Sequence, residues 1–383
     1  MVRMVREGKS MRATARHFRV SLATVRYWVA RADHRGLDEV DWADRCRAPH
    51  RTRRIALGLE ETLLSIREAL KTQSALGEFG ATAIRAELLD RAVPLVPSVR
   101  TIGRVLLRRG VLDGRRRIRR AAPPPGWHLP AVVAGQADLD SFDIVEDLVI
   151  EGHGGVQILN GVSLHGGLAE SWPREGITAK IAVESILQHW RRFGLPGYAQ
   201  FDNDTRFQGG HNHPDVIGRL SRVCLSLGVI PVFAPPRETG FQAAIEGFNG
   251  LWQAKVWQRF HHDDLGQLQE RSSRYVQAHR RRNAARIASA PARLRFPDGW
   301  TLDLQGAPGG KIIYLRRTSD QGRAHLLGHV FDVDPHWPHR LVRAEVDLTQ
   351  KNIRFFALRR RDPSAQPLLK EIPYAPAQRL FEE

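Results

Sequence analysis

Strand-like and helix-like runs alternate through the middle of the chain, and this pattern limits the possible folds more than any other feature. Residues 131–145 and 154–164 are rich in β-branched and apolar residues between glycines, as is typical of strands. A helical run follows and closes at Gly194 and Pro196, residue types that end helices. Strands followed by alternating helices and strands predict a mixed α/β sheet over residues 131–290.

The charge of the chain indicates what it binds. Lys and Arg number 58 against 41 Asp and Glu, which gives a formal net charge of +17. Such an excess favours nucleic acid or another polyanion as partner, although a GC-rich genome would also raise the arginine content. With 383 residues, the chain is expected to form more than one domain.

Cysteine content and hydropathy bear on the compartment. Cys46 and Cys224 are too few for a cysteine-rich zinc module and predict a reducing environment. The first ten residues lack the apolar core of a signal peptide, and no apolar run is long enough to span a bilayer. We therefore expect a soluble cytoplasmic protein without a membrane partner.

Residues 1–36 carry the pattern of a helix-turn-helix. A first short helical run is followed by a tight turn, and Ser21 can cap a second helix. On that second helix Arg26 and Arg31 are expected to face outward and contact DNA, because Val25 and Trp28 form the apolar side. The alternative is a helical pair with a solvated basic face.

Residues 55–120 predict a second helix-turn-helix. Ser98 is a plausible cap for a recognition helix over about 99–109, with a buried stripe of Val99, Ile102, Val105 and Leu106. The residues expected to contact DNA are Arg100, Arg104 and Arg108. A basic strip, Arg115–Arg120, extends this surface unless it is only a solvated tail.

Several carboxylates of the central region lie on predicted strands, at a strand end or on a helix. Asp138 and Asp140 lie on one face of a strand, Asp202 closes a later strand, and Glu246 and Asn249 share a helix face. Acids that converge from distant segments repel one another unless a cation neutralises them. Oxygen ligands without cysteine favour Mg²⁺ or Mn²⁺ over zinc.

The order "DLDSF … FDNDTRF … APPRETGFQAAIEGFN" resembles the DDE integrase core shared by bacterial insertion-sequence transposases and retroviral integrases. The resemblance covers residues 131–290 and implies an RNase H-like fold. It also implies DNA cleavage and strand transfer with two Mg²⁺ (or Mn²⁺) ions. Asp140, Asp202 and Glu246 would be both the catalytic residues and the metal ligands.

The first acid of this set is the open assignment. Asp138 follows Gln136 in the usual register, whereas Asp140 shares its strand face with apolar neighbours and is favoured. Asp143 points the other way on a regular strand. Asp204 stands where the family often has glycine and is interpreted as a turn residue.

The resemblance implies DNA partners and assembly. A transposase of this class would bind terminal inverted repeats and target DNA as a homo-oligomer, in the bacterial nucleoid. Two alternatives remain: a catalytically inactive DNA-binding regulator derived from a transposase, and an RNase H-like nuclease.

Two further features complete the predictions. Short strand-like runs over residues 300–362 predict a small DNA-binding β-barrel, in which Arg316, Arg317 and Arg343 could contact phosphates. Residues 211–213, with His211 and His213, read His-Asn-His, but the HNH nuclease motif requires widely spaced residues. The contiguous run therefore favours a polar loop.

Overall fold

The computed structural model describes residues 1–44, 55–112, 125–209, 214–238 and 240–376. The chain divides into two compact units, Met1–Glu60 and Glu61–Glu383. The predicted basic strip at 115–120, Cys46, His211 and His213 lie outside the described residues.

The first unit contains three short helices around a small apolar core. They are α1 (Val2–Arg6), α2 (Met11–His17) and α3 (Leu22–Ala32). The hydroxyl of Ser21 accepts a hydrogen bond from the backbone N–H of Thr24 at 3.0 Å and so caps α3. The predicted helix-turn-helix is therefore confirmed.

Residues 55–112 form a group of three helices, the first of which begins at the end of the first unit. They are α4 (Leu57–Gln73), α5 (Ala81–Asp90) and α6 (Val99–Arg108). Ser98 caps α6 through the backbone N–H of Thr101 at 3.2 Å. Ile102, Val105 and Leu106 are buried as predicted, whereas Val99 is 41% exposed, so the buried stripe begins one turn later.

A nine-stranded open sheet organises the rest of this unit. Its first five strands are β1 (Leu139–Ile150), β2 (Gly154–Ser163), β3 (Ala169–Arg174), β4 (Tyr198–Phe201) and β5 (Ile230–Phe233). They lie in the order β3-β2-β1-β4-β5. The pairs among β1, β2 and β3 are antiparallel, and β4 pairs in parallel with both β1 and β5. The predicted mixed α/β sheet is thus present.

Helices cover both faces of this part of the sheet. They are α7 (Pro130–Val133), α8 (Ala179–Phe193), α9 (Thr205–Gln208), α10 (Arg219–Ser226), α11 (Ala243–Trp252), α12 (Leu265–Arg282) and α13 (Ala284–Ser289), with a π-helical turn at Gln253–Trp257. Within the described residues, no helix is long and apolar enough to cross a membrane.

Alternate residues of β1 face different helices. Phe142 stacks on Phe201 of β4, with ring centroids 5.7 Å apart, and packs with Trp190 of α8 in one core. Val145 faces the opposite core, which contains Phe248 of α11. Even-numbered residues of β1 near Phe142 therefore point to α8, and odd-numbered ones point to α11.

Of the six strands described after residue 300, four extend this sheet. The six strands are β6 (Lys311–Arg317), β7 (Arg323–Leu326), β8 (His329–Asp332), β9 (Leu341–Asp347), β10 (Asn352–Ala357) and β11 (Leu368–Pro373). Strand β6 pairs in parallel with β5, and β9, β10 and β11 continue outward, while β7 and β8 form a separate hairpin. The sheet is not closed, so the predicted β-barrel is not confirmed. Regular strand spacing alone cannot distinguish a barrel from strands added to an existing edge.

Candidate active site

Two aspartates lie side by side where β1 and β4 run in parallel. Leu139 pairs with Tyr198 and Ser141 with Gln200. Continuing this register by two residues brings Asp143 alongside Asp202, the first residue after β4. Both carboxylates are on the α11 face, because each follows a phenylalanine that is buried toward α8.

The protonation behaviour of the two carboxylates reflects this closeness. Burial, followed by the negative charge of Asp202, raises the pKa of Asp143 to about 6. Glu246 contributes in the same direction, and the hydrogen bond from Asn249 opposes it. Burial also raises the pKa of Asp202. A shared negative site of this kind attracts cations.

Helix α11 supplies the third part of the site. Asn249 is 8% exposed, and its side-chain amide donates a hydrogen bond to Oδ2 of Asp143 at 2.7 Å. The amide oxygen of Asn249 accepts a hydrogen bond from Asn160 of β2 at 2.8 Å. Glu246 lies one turn earlier on α11 and is exposed, so its carboxylate is open to a substrate.

The turn after β4 fixes the position of Asp202. Oδ1 of Asp202 accepts a hydrogen bond from the backbone N–H of Asp204 at 3.0 Å. Asp204 in turn caps α9 through the backbone N–H of Arg206 at 2.8 Å and forms an ion pair with the Arg206 side chain. Arg206 also bonds Glu146 of β1 at 2.9 Å. The turn role predicted for Asp204 is confirmed.

Asp140, the expected first acid, lies on the other face of β1. Its carboxylate is fully buried and accepts hydrogen bonds from Arg293 at 2.8 and 2.6 Å and from Trp190 at 3.0 Å. Burial alone would raise the pKa of Asp140. The charge and hydrogen bonds of Arg293, assisted by His189, outweigh burial and hold this pKa well below its usual range. The structure therefore does not bring Asp140 together with Asp202 and Glu246.

Asp138, the alternative first acid, belongs to the same buried network. It is 2% exposed, and Arg293 and His165 both contact its carboxylate at 3.2 Å. A carboxylate already neutralised by a buried guanidinium is a poor metal ligand.

The strand pattern itself contained the signal for Asp143. Asp140 shares a face with Phe142, and that apolar face is the one that packs on α8. Helix α11, which carries Glu246 and Asn249, packs on the opposite face. An acid of β1 that meets Glu246 must therefore be an odd-numbered residue, as Asp143 is.

The donor chemistry of the site fits a hard divalent cation, because the facing groups are carboxylate oxygens. The arrangement is incomplete, however: in the described parts of the chain no three His, Cys, Asp or Glu side chains are placed to hold one metal ion together. Asp143 and Asp202 form the facing pair, and Glu246 is exposed on α11, one turn before Asn249.

The arginines predicted to contact DNA divide into two groups. Arg26, Arg100, Arg104 and Arg108 are exposed. Arg31 is 9% exposed instead, because its guanidinium packs over Trp28 at 5.1 Å and pairs with Asp41 at 3.2 Å. The outward orientation predicted for Arg31 is therefore wrong.

The C-terminal arginines are also less available than predicted. Arg343 is 4% exposed and pairs with Glu345 at 3.1 Å. Arg316 is 8% exposed within β6. Arg317 pairs with Glu238 at 2.5 Å.

One known protein family matches the N-terminal part of the chain. Residues 1–41 match the family described as "Helix-turn-helix domain", in agreement with α1 to α3. The first 41 residues are a helix-turn-helix domain. No curated protein sequence matches the chain.

Several solved integrase structures resemble parts of the chain. The HTLV-2 integrase catalytic core domain in complex with magnesium is 12% identical, with a TM-score of 0.26 over 36% of this chain and 82% of that one. The simian T-cell lymphotropic virus intasome in complex with PP2A regulatory subunit B56 gamma is 13% identical, with a TM-score of 0.32 over 79% and 95%. The catalytic core domain of BIV integrase is 18% identical, with a TM-score of 0.27 over 36% and 80%. Each of these matches is partial and of low sequence identity.

Proposed function

We propose that this protein is a DNA transposase of the DDE class, in which Asp143, Asp202 and Glu246 are the catalytic acids. One observation carries the proposal: Asn249, on the same helix as Glu246, bonds the carboxylate of Asp143 at 2.7 Å. That contact joins the helix motif to the aspartate beside Asp202, and the three motifs thus meet on one face of the sheet.

The rest of the chain supports a DNA substrate. A helix-turn-helix domain occupies residues 1–41, and α6 adds a second exposed basic helix face. The net charge of +17 favours a polyanion. We infer that these N-terminal helices bind the ends of a mobile element, while the core acts on the strands as part of a multimer.

The mixed sheet supports the RNase H-like fold that the motifs imply. A divalent cation held by Asp143 and Asp202, with Glu246 as a third ligand, would assist attack of water or a 3′-hydroxyl on a phosphodiester. The protein's own contribution is positioning. Asn249 holds the Asp143 carboxylate, and the Asp204 turn holds that of Asp202.

A nicking assay tests the assignment. The substrate is a supercoiled plasmid carrying the DNA that flanks the gene, incubated with the full chain and Mg²⁺. Nicking is expected to require Mg²⁺, to stop with EDTA, and to be lost in Asp143→Asn, Asp202→Asn and Glu246→Gln. Asp147→Asn is the matched control, since Asp147 is an exposed acid of the same strand. Nicking that survives in Asp143→Asn would refute the proposed acid.

A second function has one observation in its favour. Because no three acidic or histidine side chains of the described residues form a metal cluster, the chain is also compatible with a catalytically inactive DNA-binding regulator. Salt-sensitive binding of the flanking DNA by a folded chain that never nicks it in Mg²⁺ or Mn²⁺ would establish this alternative. Cleavage of an RNA–DNA hybrid without preference for DNA ends would instead identify an RNase H-like nuclease.

A further inference from the structure

A cleft of about 360 Å³ lies beside the turn that carries Asp202. Its wall includes Asn203 and Gln208 from that turn and α9, Arg316 from β6, and Leu326 and Leu327 from the β7–β8 hairpin. The volume lies within the range of small-molecule sites, about 300–1,000 Å³.

Arg316 places a buried positive charge in this cleft. The residue is 8% exposed, and its guanidinium donates to the backbone carbonyls of His325 at 3.1 Å and Leu315 at 2.9 Å. Burial lowers the pKa of Arg316 to about 10, with only Tyr314 acting against it. No carboxylate of the described residues forms an ion pair with Arg316, unlike Arg343 with Glu345. A buried cation without an anionic partner is costly, and an anionic ligand would offset that cost.

The other walls of the cleft match the remainder of a nucleotide. The side-chain oxygens of Asn203 and Gln208 are buried without a hydrogen-bond partner, and both residues line the cleft. Leu326, Leu327 and Val216 supply apolar surface. Unpaired amide oxygens can accept hydrogen bonds from the polar edge of a base, and apolar side chains suit its faces.

The position of the cleft connects it with the acids. Asn203 follows Asp202 directly, and its amide donates to the carbonyl of Ala234 at 2.6 Å. The Arg316 guanidinium approaches the same carbonyl at 3.5 Å. A ligand on Arg316 would therefore lie next to the segment that holds Asp202.

We propose that this cleft binds one nucleotide unit, with its phosphate on Arg316 and its base against the amide and leucine walls. That the unit belongs to a DNA strand entering the acid site rests on the proposed function. A phosphate alone would fill only a small part of the cleft and would leave the buried amide oxygens without donors.

Titration calorimetry of the full chain tests the site without metal or DNA. The probes are dAMP, dGMP, dCMP and dTMP, compared with inorganic phosphate and deoxyadenosine at constant salt. At least one deoxynucleotide should bind saturably. Phosphate and deoxyadenosine should each bind at least about tenfold more weakly, since each lacks part of the contacts. Equal affinity for inorganic phosphate would overturn the nucleotide assignment.

Variants locate the binding. Arg316→Leu should weaken deoxynucleotide binding about tenfold or more, because it removes charged hydrogen bonds. Val216→Phe should weaken it by filling the cleft, and it decides the matter if Arg316→Leu does not fold. Val330→Phe is the matched control, since Val330 is 53% exposed on the β7–β8 hairpin and does not line the cleft. Unchanged binding in Val216→Phe would refute the site. Because the titration contains neither metal nor DNA, it can fail while plasmid nicking succeeds, or succeed while nicking fails.

Discussion

The amide nitrogen of Asn249 lies 2.7 Å from Oδ2 of Asp143, and its amide oxygen lies 2.8 Å from the amide nitrogen of Asn160. The register of β1 and β2 places Asp143 directly opposite Asn160. The three side chains thus form a continuous hydrogen-bonded row across two strands and one helix. Such a row restricts the Asp143 carboxylate to one orientation.

Loss of this row should reduce activity more than stability. Asn249→Ala is expected to lower the rate of Mg²⁺-dependent nicking about 10- to 100-fold, as for other residues that orient a ligand. Asn160→Ala should have a smaller effect, since Asn160 acts on Asp143 only through Asn249. Nicking rates and melting temperatures of both variants provide the measurement. A nicking rate in Asn249→Ala equal to that of the wild type would show that the hydrogen bond does not position Asp143.

The buried Asp140–Arg293 pair should contribute to stability rather than to catalysis. Asp140→Asn leaves the Arg293 charge without its main partner, which is expected to cost about 3–5 kcal/mol of unfolding free energy. The double variant Asp140→Asn/Arg293→Met should not recover that loss, because it also leaves the buried Asp138 carboxylate without its guanidinium partner. Denaturant unfolding measures both. The folded fraction of Asp140→Asn should still nick DNA, and loss of nicking with unchanged stability would return Asp140 to the catalytic set.

The same pair predicts a pH dependence. The pKa of Asp140 in the folded chain is below its usual value of 3.8, so the ionised form is the one that the fold stabilises. This stabilisation is complete above the unfolded pKa and is lost as the pH falls below about 4 toward the folded pKa. The difference in unfolding free energy between the wild type and Asp140→Asn should therefore narrow below about pH 4. A difference that stays constant between pH 6 and pH 3 would contradict this assignment.

Two arginines of α3 should respond differently to substitution. Arg26 is exposed, so Arg26→Ala should weaken DNA binding and reduce the slope of log affinity against log salt by about 1, with little change in melting temperature. Arg31 packs on Trp28 and pairs with Asp41, so Arg31→Ala should destabilise the first unit by roughly 1–2 kcal/mol. Fluorescence anisotropy with flanking DNA at several salt concentrations and thermal unfolding separate the two effects. A reduced salt slope in a stable Arg31→Ala variant would restore its predicted DNA contact.

The sequence predicted local elements better than it predicted which face each one buries. Caps at Ser21 and Ser98 depend on a few neighbouring residues, and both are present. The choice between Asp140 and Asp143 depends on which side of β1 meets α11, and that contact joins residues about a hundred positions apart. The apolar partners of Asp140 were correctly recognised, but they mark the α8 side.

The number of strands in the sheet is the second feature that local sequence patterns do not determine. The runs that form β6 and β9 have the alternation and turns of strands in any antiparallel structure. Their position is decided by the free edge of β5, where Val232 pairs with Ile313 and Phe233 with Tyr314. No periodicity in the sequence encodes that parallel contact.

Removal of the C-terminal strands should therefore unfold the core rather than release an independent domain. A chain cut after Gln305 loses β6, and with it the stacking of Tyr314 on Phe233 at a centroid distance of 5.2 Å. The exposed edge of β5 and the apolar residues that β6 and β9 cover would then promote aggregation. We expect this chain to be insoluble or to lack a cooperative melting transition, whereas the full chain should be soluble and melt cooperatively. Had residues 300–362 formed a separate barrel, the shortened chain would remain soluble and melt cooperatively, because an independent domain leaves no strand edge behind when it is removed.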